Sequence, residues 1–345
     1  MKLLILGGTR FLGRHLAQQA LDAGHQVTLL HRGRSNPGLF PQAEHRIADR
    51  DGDLAALAHG EWDSAIDTSA YFPRQVRSVA AALGSRVGQY QLVSTISVYA
   101  AFNPAGTDEG SALQTLTDPT VEAVTGETYG GLKALCEQAA QEAQAAQAAL
   151  GTRCLIARPG LLVGPHDPTG RYTWWVQRLL RARAGEEVLA PGHAAAPLQC
   201  IDARDAAAWL LLQAERGNAG IFNLTGPGAA TTMGAWLDAV RRQIAPAARL
   251  TWVDDGFLLA QGVAPWTDLP LWLPGEQANL HRTNISRALA SGLQCRPPEQ
   301  TAADTAAWLA HGASAPTDGV ARPAVGLLPE REAALLAAWH AASKV

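Results

Sequence analysis

Short apolar runs alternate with stretches of helical periodicity over the first part of the chain. Leu3 to Leu6 forms a continuous apolar run, typical of a strand buried on both faces of a parallel sheet. A helical pattern follows from Arg14 to Ala23 and stops at Gly24. The alternation predicts these further elements: strands near 26–30, 46–48, 64–68, 90–94, 153–157 and 220–224, and helices near 75–83, 129–150, 202–214 and 330–342. Strands that alternate with helices predict an α/β fold with an open parallel sheet.

The alternation weakens after Pro165, where prolines, glycines and tryptophans interrupt the chain. A chain of 345 residues is long enough for two hydrophobic cores. We therefore predict a sheet domain made of residues 1–165 and 198–225. A smaller C-terminal domain or lid, made of residues 166–197 and 226–345, is expected to hold the substrate.

Composition excludes several classes of protein. The chain is 47% hydrophobic and 17% charged with a formal net charge of -3, so we expect no general attraction to nucleic acid or to anionic membranes. The apolar run at the N-terminus is too short for a signal peptide, and no run approaches membrane-spanning length, which predicts a cytoplasmic protein. The four cysteines stand alone, so we expect neither a disulfide nor a metal site.

A glycine-rich turn, Gly7-Gly8-Thr9-Arg10-Phe11-Leu12-Gly13, separates the first strand from the first helix. Gly7 allows a tight turn, and Gly13 lets the helix pack closely on the strand. Such glycines also serve crossovers that bind nothing, but a strand before and a helix after favour a dinucleotide-binding turn of a Rossmann fold. The predicted cofactor contacts in the turn are Gly7, Thr9, Arg10, Phe11, Leu12 and Gly13.

Arg10 occupies the place where such turns usually carry their middle glycine. Its side chain must point away from the pyrophosphate for the phosphates to approach. Two interpretations stay open: a solvated arginine at a helix start, or a guanidinium that reaches a phosphate.

The end of the second strand indicates which dinucleotide is bound. An NAD site normally has an acidic residue here, whereas this chain has His31 followed by Arg32, Gly33 and Arg34. Arginines attract a 2′-phosphate, so this segment favours NADP, with NAD as the other cofactor to consider. A basic surface loop is the alternative interpretation. Asp49, after the third strand, is expected to meet the adenine amino group.

Tyr129 and Lys133 are four residues apart and therefore share one face of a predicted helix. A free tyrosine has a pKa of about 10, and a nearby ammonium is expected to lower it. Tyr-x-x-x-Lys also arises by chance as a surface pair. Here it follows an apolar strand that ends in Ser94, Thr95 and Ser97, hydroxyl side chains at the edge where α/β sheets bind ligands, although they also suit strand-end caps.

With these motifs, the chain resembles the extended short-chain dehydrogenase/reductases, in the NAD-dependent epimerase/dehydratase group. The glycine turn resembles that of an atypical branch, which contains isoflavone-reductase-like proteins and relatives of chloroplast RNA-binding proteins. The resemblance covers nearly the whole chain. It implies a doubly wound Rossmann sheet and a smaller substrate domain, and it suggests a homodimer paired through two helices that flank the sheet.

The resemblance also implies roles for residues outside the glycine turn. Thr95, Tyr129 and Lys133 match the catalytic hydroxyl and the catalytic Tyr–Lys pair, and Lys133 would also hold the nicotinamide ribose. The segments 67–70 and 158–160, with 164–165 after the latter, match the walls of the cofactor cleft. The full set of further predicted cofactor contacts is Arg32, Asp49, Arg50, Thr68, Ser69, Lys133, Pro159 and Leu161.

Departures from the family pattern narrow the activity. Sugar-nucleotide 4,6-dehydratases carry Asp-Glu after the threonine, but this chain has Ile96 and Ser97, which argues against water loss. We therefore expect a reductase that transfers hydride between NADP(H) and a carbonyl or alcohol, with Thr95 orienting the oxygen and Tyr129 as the general acid. The alternatives are an NAD-dependent sugar-nucleotide epimerase and a non-catalytic cofactor-sensing or RNA-associated protein.

The substrate is expected to be a small molecule, either aromatic or a sugar. Tryptophans collect in the second half of the chain, where they stack on a substrate or, more often, fill a core. The predicted substrate contacts are Ser97, His166, Arg171 and Trp174. For His166, a plain turn is an equally good interpretation.

Overall fold

The protein is described by a computed structural model that covers residues 1–147, 151–312 and 324–343. Its strands are β1 (Lys2–Leu6), β2 (Gln26–His31), β3 (Glu44–Ile47), β4 (Ser64–Asp67), β5 (Gln89–Val93), β6 (Arg153–Pro159), β7 (Leu162–Val163), β8 (Glu187–Pro191), β9 (Pro197–Leu198), β10 (Ile201–Asp202), β11 (Gly220–Leu224), β12 (Thr231–Thr232) and β13 (Arg249–Val253). Its α-helices are α1 (Phe11–Asp22), α2 (Pro73–Leu83), α3 (Tyr129–Gln147), α4 (Arg171–Leu180), α5 (Ala203–Arg216), α6 (Met233–Ile244), α7 (Asp255–Ala260), α8 (Ser286–Ala290), α9 (Pro298–Ala310) and α10 (Pro329–Ala342).

Seven strands form one parallel sheet in the order β11-β6-β5-β4-β1-β2-β3. This order reverses at β1, so the chain leaves the centre of the sheet first in one direction and then in the other. The predicted Rossmann α/β fold is confirmed. In the register, Leu6 pairs with both Leu30 and Asp67, which brings the carboxyl ends of β1, β2 and β4 to one edge.

Both faces of the sheet are buried, which explains the uninterrupted apolar run of β1. Leu3 and Ile5 point into a core shared with α1 and α5, whereas Leu4 and Leu6 point into a core shared with α2 and α3. Successive side chains of a strand face opposite sides, so a strand covered on both sides has no polar face.

A further hydrophobic core collects residues from after Val163. It contains the buried Trp174, Trp175, Trp236 and Trp272, and it surrounds the parallel pair β8–β13. Residues of α5 and β11, together with Ala288 and Leu293, pack instead into the core that contains α1. The division into two domains, with its boundaries, stays a prediction.

The strands of the sheet begin and end within about two residues of their predicted bounds. The helix α1 begins earlier than predicted, at Phe11 rather than Arg14. Residues 148–150, where we expected the helix from Tyr129 to end, lie outside the described residues. Most of the short strands and helices between Leu162 and Ala310 were not predicted from the sequence. Among the helices of the described residues, none is both long and apolar enough to cross a membrane.

Candidate active site

The glycine turn lies in close contact with the end of β4. Gly7 has a φ of +90°, and a Cβ there would lie 2.8 Å from the hydroxyl oxygen of Thr68 and 3.0 Å from the Cβ of Ser69. A Cβ on Gly13 would overlap the Gly7 carbonyl oxygen. A side chain at either position would clash with these neighbouring atoms. Both positions therefore require glycine, as the turn predicted.

The N-terminus of α1 is open to an anion. Arg10, which precedes the helix, has an extended backbone and its side chain does not cap the helix, whose first turn contains no acidic residue. The side chains of Thr9 and Leu12 are buried, so only their backbone groups can face an anion at the start of α1. The uncapped N–H groups and the cradle at Gly7 fit the pyrophosphate of a dinucleotide.

The end of β2 carries no acidic side chain. His31 is buried there, whereas Arg32 and Arg34 are exposed. Asp49 is half-buried after β3, and its carboxylate accepts a hydrogen bond from the backbone N–H of Asp51. The predicted basic segment therefore lies at the surface, next to the edge of the sheet that holds the glycine turn.

Arg50 is engaged within the protein. Its guanidinium donates to both carboxylate oxygens of the fully buried Asp67, at 2.8 and 2.6 Å, and to the hydroxyl of Ser69 at 3.0 Å. The hydroxyl of Tyr90 donates to the same carboxylate at 2.7 Å. Burial alone would raise the pKa of Asp67, but Arg50 outweighs it and holds that pKa below its usual value. Arg50 is thus engaged in an ion pair with Asp67, and its contact with the cofactor stays a prediction.

A glycine brings the predicted hydroxyl group and the predicted phenol together. Tyr129 is the first residue of α3, and a Cβ on the following Gly130 would overlap the carbonyl oxygen of Ser97. Thr95 accepts a hydrogen bond from the Ser97 N–H at 3.1 Å and donates to the Ser97 hydroxyl at 3.2 Å. Hydrogen bonding to Thr95 also lowers the pKa of Tyr129. The start of α3 therefore rests on the turn that carries Thr95 and Ser97.

Lys133 lies one helical turn further along α3 and is buried. Its ammonium donates to the carbonyl oxygens of Ala70 and Val93, both at 2.7 Å. These carbonyls lie just after β4 and at the end of β5. Burial lowers the pKa of Lys133. The lysine thus ties α3 to two strand ends, and two of its three N–H donors are occupied.

The pKa of Tyr129 moves in the direction opposite to our expectation. Burial, with a smaller contribution from Tyr71, raises it to about 12, although hydrogen bonding to Thr95 offsets part of the rise. The ammonium of Lys133 donates to two backbone carbonyls instead. Tyr129 is therefore a protonated hydrogen-bond donor at neutral pH.

Tyr71 is a second phenol at this site, which the sequence analysis missed. Its ring centroid lies 6.4 Å from that of Tyr129, and the nitrogen of Lys133 lies 5.9 Å from its ring. The side chain is 47% exposed, so it forms part of the open cleft. Its position four residues after a buried strand was the only sequence signal that could have found it.

A buried ion pair lies behind the hydroxyl turn. Glu137, one helical turn after Lys133, accepts from Arg158 on β6 at 2.6 to 3.2 Å and from the Ser94 hydroxyl at 2.5 Å. Arg158 also donates to the hydroxyl of Tyr99 at 2.9 Å. Ser94 is thus occupied, which leaves Thr95 and Ser97 as the hydroxyls of the turn nearest Tyr129.

The other predicted cofactor contacts lie at the end of β6. Pro159 is buried and pairs with Leu224, while the half-buried Leu161 packs against the second hydrophobic core. A Cβ on Gly160, between them, would lie 2.5 Å from the hydroxyl of the buried Thr225. The contacts of Pro159 and Leu161 with a cofactor stay a prediction.

The predicted substrate residues His166 and Trp174 have different surroundings. The ring of His166 lies 5.7 Å from that of His15 and 5.1 Å from that of Trp308, and burial lowers its pKa to about 4. Trp174 is buried in the second core against Trp175, which fits a core tryptophan better than a substrate contact.

Arg171, at the start of α4, is the substrate candidate with an unsatisfied polar atom. Its guanidinium lies 5.2 Å from the ring of Trp266, and its Nε is buried without a hydrogen-bond partner among the described residues. Burial raises the pKa of the neighbouring Asp167 to about 6. Arg171 therefore stays a substrate candidate, as does Ser97.

Solved structures with the same fold include several sugar-nucleotide epimerases. The UDP-Glc/GlcNAc 4-epimerase of Campylobacter jejuni is 14% identical with a TM-score of 0.67, over 90% of this chain and 99% of that one. The UDP-glucose 4-epimerase of Thermotoga maritima with UDP-glucose is 16% identical with a TM-score of 0.64, over 91% and 100% of the two chains. The UDP-glucuronic acid 4-epimerase of Bacillus cereus in complex with NAD is 14% identical with a TM-score of 0.62, over 90% and 96%.

A comparison with curated proteins found no significant match. The sequence model of the NAD dependent epimerase/dehydratase family matches residues 3–225, which span the whole parallel sheet from β1 to β11 and both residues of the Tyr–Lys pair. The chain therefore belongs to the NAD dependent epimerase/dehydratase family.

Proposed function

We propose that the protein is an NAD-dependent enzyme of the sugar-nucleotide epimerase type, which oxidises an alcohol carbon of its substrate and reduces it again in the same site. The observation that carries the proposal is the meeting of Thr95 and Tyr129 at the carboxyl end of β5. Family membership supports it, and so do the structures of like fold, which are named as 4-epimerases of UDP sugars.

The chain offers contacts for two parts of the dinucleotide, the pyrophosphate and a ribose. The uncapped N-terminus of α1 and the cradle at Gly7 would hold the pyrophosphate, and Lys133 has one N–H left for a ribose hydroxyl. When bound, a nicotinamide dinucleotide supplies the hydride acceptor and donor.

Tyr129 and Thr95 would handle the proton of the reacting oxygen. The phenol donates its proton to a carbonyl oxygen as an alcohol forms, and the phenolate takes a proton from a hydroxyl in the reverse direction. Thr95 fixes the oxygen by a hydrogen bond. Ile96 is buried and carries no acid or base, which supports the absence of a dehydration step.

A reductase that consumes NADPH is the second candidate. One observation favours it: the end of β2 presents the exposed Arg32 and Arg34 and no carboxylate. A reductase releases its oxidised cofactor after each turnover, whereas an epimerase needs no net cofactor change.

Two assays on the purified protein separate the candidates. UDP-glucose, UDP-glucuronic acid and UDP-N-acetylglucosamine are each incubated with the protein and NAD⁺, and proton NMR follows the sugar C4 epimer. A panel of carbonyl compounds is incubated with NADPH, and the loss of NADPH absorbance is followed. Appearance of an epimer without net NADH supports the main proposal, steady NADPH loss supports the reductase, and neither result in the presence of bound cofactor would contradict both.

The two directions of hydride transfer are expected to differ in their dependence on pH. Because the pKa of Tyr129 is raised to about 12, the phenol stays protonated through the neutral range. Reduction of a carbonyl should therefore be independent of pH there, whereas oxidation of an alcohol, which needs the phenolate, should speed up about tenfold for each pH unit. Rapid-mixing measurements of each half-reaction check this, and equal profiles in the two directions would contradict it.

Cofactor choice is expected to depend on the basic segment after β2. Changing Arg32 and Arg34 together to alanine should weaken NADP⁺ binding about tenfold or more, because each guanidinium makes charge-assisted contacts with a phosphate. NAD⁺ binding should change little, since it has no 2′-phosphate. Calorimetric titration with both dinucleotides checks this, and equal losses for the two would show that the segment does not read the 2′-phosphate.

Several expectations from the sequence stay predictions. They are a homodimer, a cytoplasmic location, an adenine contact from Asp49, and substrate contacts from Ser97, His166, Arg171 and Trp174. If the substrate is a sugar nucleotide, Arg171 beside Trp266 is the substrate candidate whose cation and aromatic face suit a phosphate next to a base.

A further inference from the structure

The segment that follows β2 is held in an unusual backbone conformation. We call residues 32–40 the β2 loop. It contains three positions with left-handed backbone, Gly33 at φ +71°, Asn36 at +44° and Phe40 at +62°. Such angles are unfavourable for Asn and especially for Phe, so the surrounding contacts must hold them in place.

Two histidines hold the loop at both ends. The N–H of Gly33 donates to His31 Nδ1 at 3.0 Å, His31 Nε2 lies 2.8 Å from His45 Nδ1, and His45 Nε2 lies 3.0 Å from the carbonyl oxygen of Phe40. The two rings are nearly perpendicular, at 89°.

The partners at the two ends assign the protons of both rings. A backbone N–H only donates, so His31 Nδ1 must be the acceptor and His31 Nε2 must carry the hydrogen. A carbonyl only accepts, so His45 Nε2 must carry the hydrogen and His45 Nδ1 must accept from His31. All four ring nitrogens are used, and both rings are neutral.

The loop also contacts the glycine turn. The side-chain amide of Asn36 donates to the carbonyl oxygen of Thr9 at 3.0 Å. The two imidazoles therefore fix a loop that carries the arginines after β2 at one end and touches the proposed pyrophosphate site in its middle.

We propose that His31 and His45 are positioning residues for the dinucleotide, and that the neutral pair keeps the β2 loop in its binding conformation while protonation of either ring releases it. The proposal rests on the cofactor binding proposed above. A proton added to His31 Nδ1 would face the Gly33 N–H, and a proton added to His45 Nδ1 would face the His31 N–H. Either change replaces a hydrogen bond with two opposed donors.

The charges around the pair do not compensate for such a proton. Burial, and then the charge of His45, lowers the pKa of His31. On β3, the carboxylate of Glu44 accepts from Arg46 and from Thr28, so it is already engaged. The other charged side chains of the adjoining segments are the cations Arg10, Arg32 and Arg34 and the carboxylate of Asp49, which accepts from the backbone N–H of Asp51.

The sign of the pH effect follows from this lowered pKa. A free histidine titrates near pH 6.5, so the folded loop binds fewer protons than the released loop between about pH 6.5 and the lower folded pKa. The held conformation is therefore fully favoured above about pH 6.5 and is lost as the pH falls below it.

The experiment measures the affinity for NAD⁺ between about pH 7.5 and about pH 5.5. NAD⁺ is the probe because the 2′-phosphate of NADP⁺ itself takes up a proton near pH 6. Loss of one hydrogen bond predicts a fall in wild-type affinity of about fivefold over this range.

The double variant His31→Asn with His45→Gln is the test protein. Both amides keep a donor and an acceptor in each ring's place but do not titrate, so its affinity should stay constant within about twofold. The variant His311→Gln, on the exposed end of α9, is the control and should behave as the wild type.

The outcomes separate the two proposals. Equal wild-type affinity at both pH values, or an acid loss that the double variant keeps in full, would overturn the histidine pair while leaving cofactor binding intact. No binding of either dinucleotide at neutral pH would overturn the cofactor proposal and the role of the pair with it. If the double variant does not fold, nitrogen NMR of the wild type decides: both rings should be neutral and protonated at Nε2, and a hydrogen on either Nδ1 would overturn the proposal.

Discussion

Replacing Tyr129 with phenylalanine is expected to lower turnover by about 10²–10⁴-fold, the range typical for loss of a general acid or base. The change removes only the hydroxyl, so the ring still fills its place between Tyr71 and the turn that carries Thr95. Binding of NAD⁺ should stay nearly unchanged, because the glycine turn and Lys133 are untouched. Steady-state kinetics with the substrate found in the screen, together with calorimetric titration of NAD⁺, measures both quantities.

Tyr172 provides a matched control for this variant. Its hydroxyl is buried in the second hydrophobic core and has no hydrogen-bond partner among the described residues. The same change from tyrosine to phenylalanine there should leave turnover as in the wild type. Equal activity of the Tyr129→Phe variant and the control would show that Tyr129 does not transfer the proton.

Replacing Arg158 with methionine is expected to lower the free energy of unfolding by about 3–5 kcal/mol, because it leaves the carboxylate of Glu137 buried without its cation. Both side chains are only 2% exposed, and the guanidinium makes three contacts with the carboxylate oxygens. The pair joins α3 to β6 and, through Ser94 and Tyr99, supports the hydroxyl turn. Urea unfolding followed by circular dichroism measures the loss.

Two further variants isolate the buried charge. Adding Glu137→Leu to the Arg158 variant should recover much of the stability, since an apolar pair can replace a buried ion pair at little cost. Arg242→Met removes an exposed cation that bridges Asp238 and Glu299, and its effect should be a small fraction of that at Arg158. Equal losses at Arg158 and Arg242 would contradict the importance of the buried pair.

The sheet and the glycine turn were predictable because their determinants are local. A strand buried on both faces must be apolar, as β1 is after its exposed first residue, and a tight turn into a helix needs Gly7 and Gly13. The spacing of Tyr129 and Lys133 placed both on α3, and the hydroxyl run placed Thr95 at the end of β5. These features depend on residues close together in the sequence.

The features that could not be predicted depend on contacts between distant parts of the chain. Nothing in the sequence indicated that Arg50, in the turn after β3, forms an ion pair with Asp67 at the end of β4. Lys133 was expected to act on Tyr129, but carbonyls 40 and 63 residues away hold its ammonium. The second core likewise gathers Trp174, Trp236 and Trp272 from separate segments without a regular period.

A crystal structure of the protein with NAD⁺ bound tests the central claim most directly. We expect the pyrophosphate at the N-terminus of α1 and the nicotinamide ring in the cleft beside Thr95 and Tyr129, with a Lys133 N–H directed at the adjoining ribose. A dinucleotide bound with its nicotinamide away from the Tyr129 hydroxyl, or bound outside the glycine turn, would contradict the proposed chemistry.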